Sequence, residues 1–206
     1  MTPMQSNPTL DPMGEEVRKH LLKSAEVKQA VAEKCVADIT EAASILIETL
    51  QNGGKILLCG NGGSAADCQH ISAEFASILT QDFIRPAMAA IALTTDTSFI
   101  TAYANDFGFE GVFERQVEAI GRSGDALIGI STSGNSKNVL RALNYAKECG
   151  IKTIALTGVS GGQMANIADV CVKVPSNSTQ FIQESHIAVG HILCALVEIG
   201  LFKNTD

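Results

Sequence analysis

The chain has 206 residues, of which 46% are hydrophobic and only 18% are charged. This much apolar content excludes wholesale disorder, and the length suits one domain rather than two. The formal net charge of −7 argues against a general surface for nucleic acid or for anionic membranes. Because charged residues are scarce, the surface is either unusually apolar or partly covered by partner subunits.

Six cysteines occur without a Cys-x-x-Cys pair, which favours buried, reduced thiols over a disulfide framework. Residues 1–13 are polar and contain three prolines, so we expect a flexible leader there rather than a signal peptide. No apolar run approaches the roughly 20 residues of a membrane span. The sequence thus predicts a cytoplasmic protein with a single domain over residues 14–206 and with no membrane or nucleic-acid partner.

A helical period of apolar residues begins at Gly14 and predicts two helices, at about residues 14–26 and 28–51. Beyond Gly54, short apolar runs alternate with helical stretches. The predicted strands are residues 55–59, 88–93, 126–130, 153–156 and 170–174. The predicted helices that follow them are residues 65–79, 112–119, 137–149, 164–168 and 179–201. This alternation predicts parallel strands joined by crossover helices, in an α/β sandwich whose sheet is covered on both faces.

Two of the predicted strand-to-helix junctions are rich in glycine or in hydroxyl groups. The first reads Gly60-Asn61-Gly62-Gly63-Ser64, and its glycines leave backbone N–H groups free to point outward at a helix start. The second reads Ser131-Thr132-Ser133-Gly134-Asn135-Ser136 and offers four hydroxyls. Tight turns and helix caps explain either loop alone. Two such loops at the ligand-binding edge of one sheet favour a phosphate site.

Neither loop has the residues of a nucleotide site. The first matches the dinucleotide fingerprint only weakly, because Asp82, the acidic residue at the right distance, does not follow a second strand. In the second, Asn135 stands where a P-loop needs its lysine. These features favour a single phosphate ester as ligand, and they predict neither a nucleotide nor a redox cofactor.

Acid–base groups lie on two of the predicted helices. His70 and Glu74 are four residues apart, a spacing that suits two metal ligands or a base with its orienting partner. Alone, His70 would more often be a satisfied surface or core residue. The last helix carries Gln183 and His191, loosely on one side. His186 points away from His191, and we expect it to be structural.

Several of these segments recur together in one known family. They are Gly60-Asn61-Gly62-Gly63-Ser64-Ala65-Ala66-Asp67, Gln69-His70, Ala73-Glu74, Ala92-Leu93-Thr94-Thr95-Asp96-Thr97-Ser98, Asn105-Asp106-Phe107-Gly108, Gly129-Ile130-Ser131-Thr132-Ser133-Gly134-Asn135-Ser136 and Ile182-Gln183-Glu184-x-His186 through His191. In this order they resemble the phosphoheptose isomerases of the sugar isomerase (SIS) fold. The resemblance runs from about residue 15 to residue 202, and the ordered combination is specific although each short motif is not.

The resemblance implies a three-layer sandwich with a five-stranded parallel sheet, assembled as a homotetramer with sites between subunits. It implies conversion of sedoheptulose 7-phosphate to D-glycero-D-manno-heptose 7-phosphate, the first step toward the heptose of lipopolysaccharide or a related surface glycan. By position, Glu74 resembles the general base and His191 the general acid. The residues that resemble a zinc site of some members are His70, Glu74, Gln183 and His191. The residues that resemble substrate contacts are Asn61, Gly62, Gly63, Ser64, Glu74, Asn105, Asp106, Ser131, Thr132, Ser133, Ser136 and Gln183.

The chain departs from the family pattern at two places. Ser77 and Ile78 stand where the family often has Gly-Arg, and Phe181 stands where it often has a basic residue. Arg85 is retained, in the loop before the second predicted strand. Because two cations near the expected site are gone, the exact sugar stays open.

Two alternatives to a phosphoheptose isomerase remain. One is an isomerase of another sugar phosphate, such as a pentose or hexose phosphate. The other is a non-catalytic regulator like the SIS-fold protein that associates with the bacterial replication initiator. That regulator lacks the carboxylate and the imidazole found here at Glu74 and His191, so these two residues favour the enzyme.

Overall fold

A computed structural model describes residues 12–203. The strands are β1 (Ile56–Gly60), β2 (Ala90–Ala92), β3 (Ala126–Ile130), β4 (Lys152–Thr157) and β5 (Val170–Lys173). The helices are α1 (Pro12–Lys34), α2 (Val36–Gln51), α3 (Gly63–Ala76), α4 (Thr97–Phe107), α5 (Val112–Ile120), α6 (Lys137–Glu148), α7 (Met164–Ile167) and α8 (Thr179–Glu198). A 3-10 turn at Phe109–Gly111 precedes α5, and a π-helical turn at Ile199–Lys203 extends α8. The strands form one parallel sheet in the order β2-β1-β3-β4-β5.

The strands divide their side chains between two cores, one on each face of the sheet. In β1, Ile56 and Leu58 belong to a core shared with α1, α2, α3 and α8, whereas Leu57 and Cys59 belong to a core shared with α5, α6 and α7. All four side chains are fully buried, which explains why β1 is apolar at successive positions. The prediction of a three-layer α/β sandwich with a five-stranded parallel sheet and an N-terminal helical pair is confirmed.

The N-terminal helical pair breaks at Cys35 and not near residue 27 as predicted. Cys35 is buried, and its Sγ donates to the carbonyl oxygen of Lys173 at 3.3 Å. A contact with the end of β5 therefore accompanies the break, and the apolar period of the sequence does not mark it. α1 begins at Pro12, so residues 12 and 13 of the predicted leader are helical, and residues 1–11 lie outside the described residues.

α4 is absent from the predicted elements, and β2 is shorter than predicted. No residue of α4 is fully buried, and Tyr103 and Ala104 pack only partly against the second core, so the helix leaves a weak core-facing stripe in the sequence. The available signal is its cap, because Asp96 Oδ1 accepts from the backbone N–H of Phe99 at 2.9 Å. β2 has three residues and pairs only with β1, as suits a short edge strand.

The last helix comes closer to a membrane span than the sequence prediction allowed. The segment Thr179–Lys203 is long and apolar enough by length and composition, with a hydropathy of 1.7 over an 18-residue window. In the fold this segment packs on α1, α2 and α3, and nine residues of α8 are buried. Its apolar character therefore serves the core of the sandwich.

The chain changes direction across the sheet at β1. β2 lies on one side of β1, and β3, β4 and β5 follow on the other. α3, which follows β1, packs in the first core, whereas α6, which follows β3, packs in the second. Connections to opposite faces open a crevice at the carboxyl ends of β1 and β3, where doubly wound sheets bind ligands. Both predicted phosphate loops lie at this crevice.

Candidate active site

The glycine loop after β1 needs its glycines for two different reasons. Gly62 is the N-cap of α3 and has a φ of +56°, a conformation that favours glycine. At Gly63 an added Cβ would lie 2.6 Å from Nε2 of Gln183, so the absence of a side chain lets the Gln183 amide rest against the start of α3. Ser64 is buried behind them. The loop therefore brings the Gln183 amide to the beginning of α3.

A pair of amides ties the glycine loop to the start of α6. Asn61 Nδ2 donates to Asn138 Oδ1 at 2.9 Å, and Asn138 Nδ2 donates to Asn61 Oδ1 at 2.8 Å. Asn138 Oδ1 also accepts from the backbone N–H of Val139. Asn61, predicted as a sugar contact, thus has its side chain engaged with a buried partner. Sequence reasoning missed Asn138, although an amide in the first turn after the second loop was the available signal.

The hydroxyls of the second loop converge. Ser131 Oγ lies 2.8 Å from Ser136 Oγ and 3.4 Å from Ser133 Oγ. Ser136 is the N-cap of α6, but its hydroxyl caps no helix amide and faces Ser131 instead. The carbonyl of Thr132 is held by the backbone N–H of Gly158 at 3.0 Å. Clustered hydroxyls at a helix N-terminus suit a phosphate without a formal cation.

Three of the predicted acid–base groups meet where α3 and α8 pack. His70 Nε2 lies 2.8 Å from His191 Nε2, within hydrogen-bond distance. His70 Nε2 also lies 3.6 Å from Glu74 Oε1. One donor atom from each of the three side chains falls within 4.8 Å of the others. The structure thus brings together residues that are far apart in the chain. Glu74 on α3 and His191 on α8 are separated by 117 positions.

Other predicted site residues lie away from this cluster. The Gln183 amide lies beside Gly63, at the start of α3. Glu74 lies near the other end of this helix, roughly 16 Å from Gly63 along the helix axis. Asn105 and Asp106 lie on exposed α4, and Asn105 Nδ2 donates to Asp106 Oδ1 at 2.9 Å. Asp106 lines a surface depression of about 480 Å³ with the aromatic residues of α4. None of these three side chains is hydrogen-bonded to the cluster within the described chain.

Both the sequence and the fold match known proteins. Residues 20–158 match the SIS domain family. The phosphoheptose isomerase of Aneurinibacillus thermoaerophilus is 52% identical over 194 residues, which are 93% of this chain and 97% of that protein. That of Aquifex aeolicus is 53% identical over 186 residues, or 90% and 96% of the two chains. The solved phosphoheptose isomerase from Neisseria gonorrhoeae has a TM-score of 0.85 at 46% identity, covering 90% of this chain and 98% of that one.

The chain belongs to the phosphoheptose isomerase family. Its departures from the family pattern have clear places in the structure. Phe181 is half-buried, and its ring lies against that of His20 with centroids 4.9 Å apart. Ile78 is half-buried beyond the end of α3. Arg85 is buried and binds backbone carbonyls at the end of α3, so it is no free cation for a substrate.

The ionisable groups around the cluster differ in their surroundings. Asp67, one turn before His70, has a buried Oδ2 without a hydrogen-bond partner. Burial raises the pKa of Asp67, and the neighbouring His70 partly offsets the rise. His186 is fully buried with Nε2 3.1 Å from the Thr157 carbonyl oxygen, and burial lowers its pKa to about 4. His186 therefore serves the core, as predicted, and takes no part in the cluster.

The cluster has the chemistry of a zinc site. Two imidazoles and one carboxylate are a donor set that zinc takes in catalytic sites, with a further position left for water or substrate. His70, Glu74 and His191 supply that set from packed helices, within 4.8 Å of one another. The residues present therefore fit the metal that the family resemblance implies.

Proposed function

We propose that this protein converts sedoheptulose 7-phosphate to D-glycero-D-manno-heptose 7-phosphate. The observation that carries the proposal is the cluster of Glu74, His70 and His191, because a carboxylate and an imidazole side by side are what an aldose–ketose isomerisation requires. Membership of the phosphoheptose isomerase family supports the substrate, since relatives with that name match over nine-tenths of the chain.

The reaction moves one proton between neighbouring carbons. The Glu74 carboxylate takes a proton from C1 of the ketose, while His191 delivers a proton to the carbonyl oxygen on C2, which yields an enediol. Glu74 then returns its proton to C2, and His191 takes the hydroxyl proton of O1, which yields the aldehyde. Both groups return to their starting states, so the reaction consumes no redox cofactor. His70, which lies between the two, orients them.

The phosphate of the substrate is proposed to bind at the second loop. The converging hydroxyls of Ser131, Ser133 and Ser136, at the start of α6, support this assignment. The glycine loop beside it is proposed to contact the sugar through the backbone of Gly62 and Gly63. Asn105, Asp106, Thr132 and Gln183 remain proposed contacts on the strength of the family resemblance.

Zinc is proposed as the cofactor, held by His70, Glu74 and His191. The family resemblance implies Gln183 as the fourth ligand, whereas in this chain the Gln183 amide lies beside Gly63. The chemistry that it would supply there is polarisation of the carbonyl oxygen. Metal analysis of protein purified without chelator should find about one zinc per chain, removed by chelation together with activity and restored on re-addition. Full activity in a metal-free sample would contradict the zinc assignment and leave the isomerase assignment standing.

The enzyme is proposed to act as a homotetramer in the cytoplasm, at the first step of heptose synthesis for lipopolysaccharide or another surface glycan. Val17 and Leu21 on α1 are 59% and 63% exposed, which supports a covered surface in the assembly. The six cysteines, all within the described residues, are free, which supports a reducing compartment. The exposed position of Asn105 and Asp106 supports a contact with the substrate of a neighbouring copy.

Purified protein incubated with sedoheptulose 7-phosphate should form the aldose, which NMR detects. Parallel incubations with fructose 6-phosphate and ribulose 5-phosphate test the other sugar phosphates.

The substitution Glu74→Gln keeps the shape of the side chain but removes the base, so activity should fall by about 10²–10⁴-fold. His191→Gln should fall comparably, and the double variant should be little worse, since the two act as a unit. Near-normal turnover in Glu74→Gln would refute the mechanism. A wild type that turns over none of the three sugars would favour the non-catalytic regulator.

A further inference from the structure

A buried ion pair joins the ends of the two helices that carry the catalytic cluster. Arg85 comes from the connection between α3 and β2, and Glu198 is the last residue of α8. Arg85 Nε donates to Glu198 Oε1 at 2.8 Å, and the two side chains are only 1% and 5% exposed. Burying a charge is costly unless it is paired and hydrogen-bonded, so a pair this deep requires a physical explanation.

The same guanidinium caps the C-terminal end of α3. Arg85 Nη2 donates to the carbonyl oxygen of Glu74 at 2.7 Å, and Nη1 donates to the carbonyl oxygens of Phe75 and Ser77, both at 2.8 Å. The last carbonyls of a helix lack partners within it and attract cations. Arg85 therefore binds the backbone of the proposed base itself, while its Nε binds α8.

α3 and α8 run side by side in the same direction, so their relative register decides which side chains meet. Near the middle, an added Cβ on Gly190 would lie 2.6 Å from Ile71 Cδ1, which shows how closely the helices touch. One residue away on each helix, His70 and His191 approach to 2.8 Å. Hydrogen bonds weaken steeply beyond such distances, so a small slide of α3 along α8 would separate the pair.

We propose that Arg85 and Glu198 are positioning residues, whose ion pair sets the register of α3 on α8 and so places Glu74 and His70 against His191. This inference rests on the proposed function. A pair that served stability alone would be replaceable by apolar side chains of similar size without loss of turnover in the folded protein. A positioning pair is not replaceable in that way, because apolar side chains cannot bind the α3 carbonyls.

The test compares two charge-free double variants. Arg85→Met with Glu198→Met removes the pair, and Lys55→Met with Asp125→Asn removes a partly buried pair at the amino ends of β1 and β3. At a temperature where circular dichroism shows both to be folded, kcat of the Arg85/Glu198 variant should fall by about tenfold or more, while KM changes by less than about threefold. The Lys55/Asp125 variant should keep kcat within about twofold of wild type. An Arg85/Glu198 variant with wild-type kcat would overturn the proposal.

A milder substitution covers the case in which the double variant does not fold. Arg85→Lys keeps the buried charge opposite Glu198 but loses the planar fork that spans the carbonyls of α3 and the carboxylate. Its kcat should fall with KM nearly unchanged, by less than in the Met variant where that variant folds. An unchanged kcat in folded Arg85→Lys would also overturn the proposal.

A second readout separates this inference from the proposed function. If the wild type turns over no sugar phosphate, the function fails, and the helix register is then read from the imidazole nitrogen resonances of the metal-free protein by NMR. Those of His70 and His191 should move in the Arg85/Glu198 variant and keep their wild-type positions in the Lys55/Asp125 variant. Unmoved His70 and His191 resonances in the folded variant would overturn the positioning role.

Discussion

At the scale of single residues, the face of α8 on which a polar side chain lies decides whether it joins the catalytic cluster or supports the fold. His191 is exposed beside His70, whereas His186, on another face, is fully buried. Glu184 faces α1, where hydrogen bonds from Ser24 and His20 lower its pKa. Residues of the same chemical type thus have different roles because the helix turns them toward different neighbours.

The buried His186 predicts a loss of stability in mild acid. Unfolding returns the pKa of His186 from about 4 to 6.5. Between these two pH values, His186 therefore binds a proton in the unfolded chain but stays neutral in the folded chain. The stabilisation is therefore fully present above pH 6.5 and is lost as the pH falls toward 4, by up to about 3 kcal/mol.

Urea unfolding at about pH 7.5, 6 and 5 measures this dependence. His186→Gln keeps a donor for the Thr157 carbonyl but cannot titrate, so its free energy of unfolding should vary less with pH than that of the wild type. Equal dependence in the two proteins would show that other groups control acid stability.

At the scale of elements, the second loop (residues 131–136, here the hydroxyl loop) is held in shape by the loop after β4. At Gly134, whose φ is +66°, an added Cβ would lie 2.1 Å from the carbonyl oxygen of Gly161. The backbone N–H of Met164 also donates to the Gly134 carbonyl at 3.0 Å. Two loops in backbone contact hold the hydroxyls of Ser131 and Ser136 together before any ligand arrives, which lowers the ordering cost of binding.

Ser136→Ala should therefore weaken phosphate binding more than turnover. A hydrogen bond to a charged oxygen contributes about 1.5–3 kcal/mol, which corresponds to a rise in KM of about tenfold or more. Because the contact exists in both ground and transition states, kcat should change less. Steady-state kinetics measure both, with Ser123→Ala, an exposed serine before β3, as the control. An unchanged KM in Ser133→Ala with Ser136→Ala would place the phosphate elsewhere.

At the scale of the whole molecule, several helices expose apolar side chains to solvent. On α1, Met13, Val17 and Leu21 are 74%, 59% and 63% exposed at four-residue spacing, which makes one stripe. A groove of about 460 Å³ between α1, α2 and α8 is lined mostly by apolar residues. An exposed apolar stripe of this kind is typical of an interface between chains. The low charged fraction of the sequence has its structural counterpart here.

Light scattering in dilute solution should give about four chains per particle for the wild type. Leu21→Glu places a charge in the apolar stripe and should lower the particle mass, because burying an unpaired charge opposes association. Lys19→Glu, on the same helix at a residue whose side chain is 74% exposed in an ion pair with Glu16, should leave the mass unchanged. A wild type that is an active monomer would rule out the tetramer.

The local features of the proposed site were predictable from sequence, because they depend on residues close together in the chain. The glycine loop, the hydroxyl loop and the spacing of His70 and Glu74 are local, and strand or helix geometry then sets their faces. α4 escaped prediction because none of its residues is fully buried, and the Cys35 break escaped because its partner, Lys173, is far along the chain.

Contacts between distant segments were decided only by the tertiary structure. His70 with His191, Asn61 with Asn138, and Arg85 with Glu198 each join residues separated by 77 to 121 positions. Which of these meet depends on the strand order β2-β1-β3-β4-β5 and on how α8 packs against α3, and neither leaves a local pattern in the chain. Sequence therefore determined which groups are able to bind a phosphate and move a proton, and packing determined which of them touch.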